Sequence, residues 1–427
     1  MGERTTDGPP RATAAPSGGP SGRLRATVIL IALRFGYAYN WFDIGPALTG
    51  PRGIGAAFGV GPSAWGVLVA AFLLGAGATQ VPAGFLSRRY GERPVALGGA
   101  ALLAAAALAG AFSPSLGVLI GTRVLAGVGA GLFFSPAIGW VGRLFGPGER
   151  GVPVGTFSSA FSAGAAAGVF GSALVVPELG WQVSLAAGAI GLAAVTAVAL
   201  AAIPREGRAA AVPVPPAPLG ASRAWRARSV VAIGLAFIGF EGATFATGQF
   251  VVPWGEGVRL WPPWLAGAVG TAFVLPSVVG GPVGGVVAER SLRHRTQFVV
   301  VTVLGAIALA ALPLAGVAAA VTIGVVFSFA YGFVYAVMYV LPHFWKELPA
   351  REIPLAIGLF NAIQLGGGAL VSALFGVVVG LRSYAFAWEL AAGVQVATLL
   401  ALVALRPTAA GRPPAGAGDG RPGSPAP

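Results

Sequence analysis

Four ionisable side chains stand in stretches otherwise apolar enough to lie in lipid: Arg34, Asp43, Arg123 and Glu241. Near the centre of a membrane helix each costs about 2.5–3.5 kcal/mol unless paired or hydrated. All four are therefore expected to face protein rather than lipid. Glu241 falls roughly twelve residues into its stretch, close to a midplane at about 1.5 Å per residue. Thr244 and Gly248 continue its face. A carboxylate at that depth suits reversible protonation, the alternative being a permanently paired structural group. Arg34 shares a face with Tyr37, Ala38 and Trp41. A cation among aromatic rings suits an anionic ligand group; it suits equally an ion pair with Glu241, which would act as a gate, or a snorkelling side chain. Asp43 lies nearer the end of its stretch, where a helix-end role and a proton role are both open.

Neutral polar residues supply further candidates. Tyr331, Tyr335 and Tyr339 form an i, i+4, i+8 stripe, Asn361 and Gln364 share one face, and Ser158, Ser159 and Ser162 cluster on another stretch. Such groups either line a binding site or bond neighbouring helices. Glu389 is placed near an interface. Covalent chemistry has little to work with. There is no cysteine, and the two histidines, His294 and His343, are placed in polar loops. No nucleophile–base pair, metal-ligand cluster or nucleotide loop is visible. The residues thus point to binding and proton exchange, with no catalytic role, cofactor or metal.

The elements that must position these groups are membrane helices. Of the 427 residues 56% are hydrophobic, and the mean hydropathy is +0.80. A span needs about 20 mostly apolar residues. Twelve such stretches recur, which makes the chain an all-α integral membrane protein. Residues 26–203 and 229–405 each hold six spans. A Pro- and Arg-rich linker, 204–228, separates them, and 1–25 and 406–427 are expected to be disordered tails. Most of the 27 Lys and Arg residues fall on one side of this layout; Arg52, Arg259 and Arg382 fall on the other. By the positive-inside rule both termini are cytoplasmic. The net charge of +13 is spread over separate short segments, so it implies no nucleic-acid partner. All of the tryptophans except Trp41 sit at or beyond span ends, as an interfacial belt requires. The expected partners are the lipid bilayer, a small-molecule substrate and a proton, with the chain a monomer in the plasma or inner membrane.

Between the second and third spans stands GFLSRRYGER, residues 84–93, and half the helical region later GVVAERSLRHR, residues 285–295. The repeat indicates a duplicated six-helix unit. In the first copy Gly84, Leu86, Arg89, Gly91 and Arg93 match the loop signature G-x-L-x-D-R-x-G-R-R; in the second Gly285, Glu289 and Arg290 do, with Glu289 in place of the Asp. RVLAGVGAG supplies Arg123, Gly127, Gly129 and Gly131 in the fourth span. On these motifs the chain resembles the major facilitator superfamily. NWFDI, around Asp43, is similar to a stretch of its anion:cation symporter branch, although Ile44 replaces the arginine of that pattern.

The resemblance implies secondary transport by alternating access, a coupling or structural role for Arg123, and a cytoplasmic latch at the signature loop. Arg88 stands where that latch has its acid, so a weaker or rewired latch is expected, with Glu92 or Glu352 as the substitute. Gly84 and Gly91 are expected to permit a tight connection there, and Glu289 to keep the second copy intact. The leading reading is proton-coupled uptake of a small organic anion. The fifth span lacks the Gly-Pro motif of the family's exporters, yet Asp43 and Glu241 would also suit efflux of lipophilic cations. A transporter-like sensor is a third reading, with no large soluble segment to support it.

Overall fold

The computed structural model describes residues 20–145, 149, 151–204, 227–291, 293–341 and 353–404. Among these residues every regular element is helical. The first half contains α1 (Pro20–Phe42), α2 (Ile44–Ala47), α3 (Ile54–Phe58), α4 (Pro62–Tyr90), α5 (Glu92–Ala111), α6 (Leu116–Leu144), α7 (Gly151–Leu179) and α8 (Trp181–Ala202). The second contains α9 (Arg228–Gly257), α10 (Pro263–Ala272), α11 (Ser277–Arg290), α12 (His294–Ala310), α13 (Val317–Val340), α14 (Ile353–Leu381) and α15 (Tyr384–Ala397). Short 3₁₀ segments at Leu312–Leu314 and Thr398–Ala404 extend α12 and α15.

Eleven helical segments are long and apolar enough to cross a membrane, with α10 and α11 counted as one span, Pro263–Arg290. That span breaks at Phe273–Pro276, where Pro276 has no N–H to continue the ladder. The twelfth expected span, α1, falls outside the eleven. It is long enough at 23 residues, but Arg34, Tyr37, Asn40 and Trp41 dilute its apolar character. All four are buried against protein. Its helix also begins at Pro20, inside the stretch expected to be tail.

Lipid tails are as apolar as leucine, so burial of apolar area contributes little to helix pairing, and close backbone contact takes its place. The large hydrophobics left exposed, such as Phe112, Leu200, Ile307 and Leu370, sit where lipid would meet them. At the α4–α6 crossing a Cβ on Gly127 would lie 2.1 Å from the Phe72 carbonyl oxygen, and one on Gly75 2.2 Å from that of Val124. Gly131 faces α4 as well, whereas Gly129 abuts Leu103 and Gly99 of α5. The spaced glycines of RVLAGVGAG thus let one helix touch two neighbours at backbone distance. Gly127→Val should force α4 and α6 apart and sharply reduce the yield of folded protein, read by size-exclusion chromatography in detergent.

The halves meet along three seams: α4 against α14, α7 against α10 and α11, and α2 with Trp41 at the end of α1 against α9. Glycine sets the first, where a Cβ on Gly66 would reach the Ala373 oxygen at 2.8 Å. Hydrogen bonds cross the others. Ser162 Oγ meets Ser277 Oγ at 2.7 Å, Gln249 Nε2 donates to the Trp41 carbonyl at 3.0 Å, and Thr49 Oγ1 donates to Glu256 Oε2 at 2.7 Å.

Candidate functional site

Arg34 is 6% exposed, and its neighbours are rings. Its guanidinium carbon lies 4.5 Å from the ring centroid of Tyr37, 4.3 Å from that of Phe134 and 4.5 Å from that of Phe161. Phe157 follows at 5.8 Å. Tyr37 comes from the next turn of α1, Phe134 from α6, and Phe157 and Phe161 from successive turns of α7. Cation–π contact stabilises the guanidinium by its faces but satisfies no N–H group. Nε and Nη1 are buried without a hydrogen-bond partner. Among the described residues no acid lies within ion-pair distance of Arg34, so the ion pair with Glu241, one of the alternatives open for Arg34, is not formed.

Glu241 lies in α9, 2% exposed, and its Oε2 accepts a 2.9 Å hydrogen bond from Tyr331. The tyrosine stripe of α13 continues from there. Tyr335 and Tyr339 hydroxyls are 2.9 Å apart, Tyr339 donates to Asn361 Oδ1 at 2.7 Å, and Gln364 Nε2 donates to the same oxygen at 2.7 Å. Asn361, Gln364 and Gly368 fall on one stripe of α14. That stripe meets Tyr339 at one end; at the other, Gly368 would bring a Cβ to 3.1 Å from Glu241 Cγ. Gln364 is 1% exposed, and its Oε1 has no partner. Thr244 is also buried, with its hydroxyl unpaired.

The two clusters face each other. Tyr37, Tyr335 and Tyr339 each lie within electrostatic reach of both Arg34 and Glu241. One charge thus comes from the first half and one from the second, each about fourteen residues into its helix, with Tyr37 beside Arg34 and Tyr331 bonded to Glu241. The arrangement can hold an anionic group on one wall and a proton on the other.

Trp41 closes one end of this region. It stacks on Phe72 of α4 at 4.5 Å and on Phe245 of α9 at 4.6 Å, so a ring from each half sandwiches it. Just beyond, α1 stops at Phe42 and α2 starts at Ile44. Arg123 spans the break. Its Nη1 donates to the Asn40 carbonyl at 2.9 Å and its Nη2 to the Trp41 carbonyl at 3.1 Å, with Asp43 Oδ1 at 4.0 Å. Helix ends leave carbonyls without intrahelical partners, and here a buried guanidinium supplies them. Asp43 therefore sits at a helix end beside a fixed cation, and Nη1 and Nη2 of Arg123 are committed to backbone while its Nε is buried without a partner.

Sequence reasoning missed the ring cage of Phe134, Phe157 and Phe161, the stacking partners Phe72 and Phe245, and the cross-seam donor Gln249. The rings lie on four helices, so no local spacing links them. Gln249, two turns beyond Glu241 in an apolar helix, was a detectable signal. Of the serines, Ser158 is exposed and bonds within its own helix to the Val154 carbonyl, Ser159 is half-buried, and Ser162 joins the seam to Ser277.

At the signature loop Gly91 has φ +89°, a conformation that disfavours side chains. Gly84 and Gly285 face open space, so close packing does not explain them. Arg88 and Arg89 are exposed, as are Glu289 and Arg290. Glu92 forms an ion pair with Arg143 at the end of α6, within the first half. Glu352 lies outside the described residues, as does His343. Arg93 is buried and donates from Nε to the Ile203 carbonyl at 3.1 Å and from Nη2 to that of Leu200 at 3.0 Å. It therefore caps the end of α8. His294 is buried rather than in a polar loop, its Nε2 2.7 Å from the Ala288 carbonyl.

The family model of the Major Facilitator Superfamily matches residues 30–345, which takes in α1 from residue 30 onward, the signature loop, Arg123 and Glu241. The chain belongs to the Major Facilitator Superfamily. Solved superfamily structures share the fold. The xylose transporter of E. coli, in a partially occluded inward-open conformation, aligns with TM-score 0.70 at 15% identity over 92% of this chain and 100% of that one. A nucleoside transporter aligns with TM-score 0.73 at 14% identity, over 90% and 100%. Among curated relatives, an MFS-type transporter of Mycobacterium tuberculosis is 31% identical over 129 residues, 29% of this chain and 22% of that protein. The tetracenomycin C resistance and export protein of Streptomyces glaucescens is 32% identical over 111 residues, 26% of this chain and 21% of that protein. The chain thus spans about a fifth of the length of either curated relative. It is a multi-pass membrane protein of a transporter superfamily.

Proposed function

We propose that the protein carries a small organic anion by alternating access, with uptake coupled to a proton. In this reading α1 is the first of twelve spans despite its polar residues, 26–203 and 229–405 are two six-helix bundles, and both termini are cytoplasmic in the plasma membrane. The observation that carries the proposal is Arg34, a buried cation with two nitrogens that have no hydrogen-bond partner, no acid in ion-pair range among the described residues, and an aromatic surround that excludes water. An arriving carboxylate would give it the acceptor it lacks, and charge-assisted hydrogen bonds in such a place are the strong kind.

Glu241 takes the proton. A carboxylate on Arg34 and a negative charge on Glu241 repel one another, so bound anion and bound proton favour each other. This coupling is reciprocal, as linkage requires. Glu241→Gln fixes the neutral form. In liposomes it should keep exchange of labelled anion for unlabelled anion while accumulation driven by a pH gradient falls at least tenfold. Equal loss of both, or loss of neither, would remove Glu241 from the coupling role. The second reading, efflux of lipophilic compounds, is supported by the Trp41, Phe72 and Phe245 stack and by the export protein among the relatives. A pH gradient that expels a cationic dye and drives no carboxylate inward would favour it.

A further inference from the structure

Donors and acceptors are not distributed evenly between the two walls. On the first, Arg34 Nε and Nη1 and Trp41 Nε1 are buried N–H donors without a partner, whereas the unpartnered oxygens nearby, Asn40 Oδ1 and Asp43 Oδ1, lie beside Gly188 and Arg123. On the second, the hydroxyl protons are already spent. Tyr331 gives its proton to Glu241, and Tyr339 gives its own to Asn361. A phenol has one proton, so in the 2.9 Å contact between Tyr335 and Tyr339 it is Tyr335 that donates. Gln364 Nε2 spends one of its two N–H groups on Asn361 as well. Of the buried side-chain atoms of Asn361 and Gln364, the one left without any partner is an acceptor, Gln364 Oε1, 1% exposed and between Tyr339 and Glu241 along α14. Thr244 Oγ1, one turn beyond Glu241, serves in either sense.

A simple carboxylate would satisfy the donor wall and leave the acceptor wall unmet. We infer that the transported anion is a small carboxylate carrying a hydroxyl or ammonium group, with its carboxylate on Arg34 and its donor on Gln364 Oε1. The inference rests on the anion reading above and narrows it to bifunctional acids. A site with a buried group built to bond one ligand atom discriminates strongly against an analogue lacking that atom. Glu241 remains free for the proton, because Gln364 rather than the carboxylate receives the ligand's donor.

The test compares three acids of one skeleton, propionate, lactate and alanine, and the same trio at four to six carbons. Binding to the purified full-length protein is measured by calorimetry. The expected result is that the hydroxy or the amino acid of at least one length binds no less than tenfold more tightly than its plain counterpart, and the preferred member tells hydroxyl from ammonium. In Gln364→Leu that preference should disappear. Equal binding of all three types overturns the inference and leaves the anion reading standing. A preference unchanged in Gln364→Leu overturns the assignment to Gln364. No binding by any carboxylate overturns the anion reading itself. If the leucine variant fails to fold, the selectivity of the unaltered protein still decides the main claim.

Discussion

Arg34→Gln should weaken anion binding by at least 30-fold and leave the folded protein no less stable than before. The two halves of this expectation come from the same contacts. Truncating one partner of a buried, hydrogen-bonded charge pair typically costs about 2–5 kcal/mol, and 2 kcal/mol is roughly 30-fold in affinity. The protein itself gives Arg34 no carboxylate, and its Nε and Nη1 bond nothing. A desolvated charge without a partner is a cost to folding, so its removal offsets the lost cation–π contacts with Tyr37, Phe134 and Phe161. Arg34→Lys should recover the charge but not the planar fork, leaving binding intermediate. Calorimetry with the bound acid and thermal unfolding in detergent read the two effects separately. A large loss of stability in Arg34→Gln would mark the residue as structural and remove the basis of the anion reading.

Arg123→Gln should do the reverse, with stability as the sensitive readout. Its donors hold the Asn40 and Trp41 carbonyls at the break between α1 and α2, and it is the one cation within ion-pair distance of Asp43 among the described residues. Removing one member of a buried pair costs about 3–5 kcal/mol, because the other charge stays behind. The thermal midpoint of the ligand-free protein should fall accordingly. Adding Asp43→Asn should recover part of the loss, since groups in one network do not contribute additively. The Trp41 carbonyl also accepts from Gln249 across the seam. Loosening the break should therefore loosen the contact between the halves, read as faster labelling of a cysteine placed at Phe245. An unchanged midpoint in Arg123→Gln would show that the guanidinium does not hold the break.

Much of the fold was legible because lipid is a strict solvent. Eleven of the expected spans are helices of suitable length and apolarity, and Arg123 with its glycines could be read from one short run. The costly charges were equally visible, since a residue as expensive as Glu241 in an apolar stretch must serve a purpose. The partners were not. An arginine and a glutamate at equal depth suggest a pair, yet Arg34 lies in a ring cage and Glu241 on Tyr331. Helices apolar around much of their circumference carry little periodic signal, so which face meets which neighbour cannot be read from spacing alone. Arg88, conspicuous in its motif, is solvent-exposed, while Arg93 five positions later caps a helix that ends more than a hundred residues away.

The sequence by itself determined that the chain crosses a membrane many times, and that a few charged and polar residues are too costly in lipid to face it. Those conclusions follow from composition and local spacing, because each helix satisfies its own backbone hydrogen bonds and needs only enough apolar length to enter lipid. The tertiary structure alone decided that α1 breaks at Asp43 under Arg123, that five helices supply the rings around Arg34 and the sandwich around Trp41, and that Gln364 keeps an acceptor without a partner. Each of these depends on how helices remote in sequence are rotated and set against one another, which glycine contacts and cross-seam hydrogen bonds fix only once the whole chain has packed.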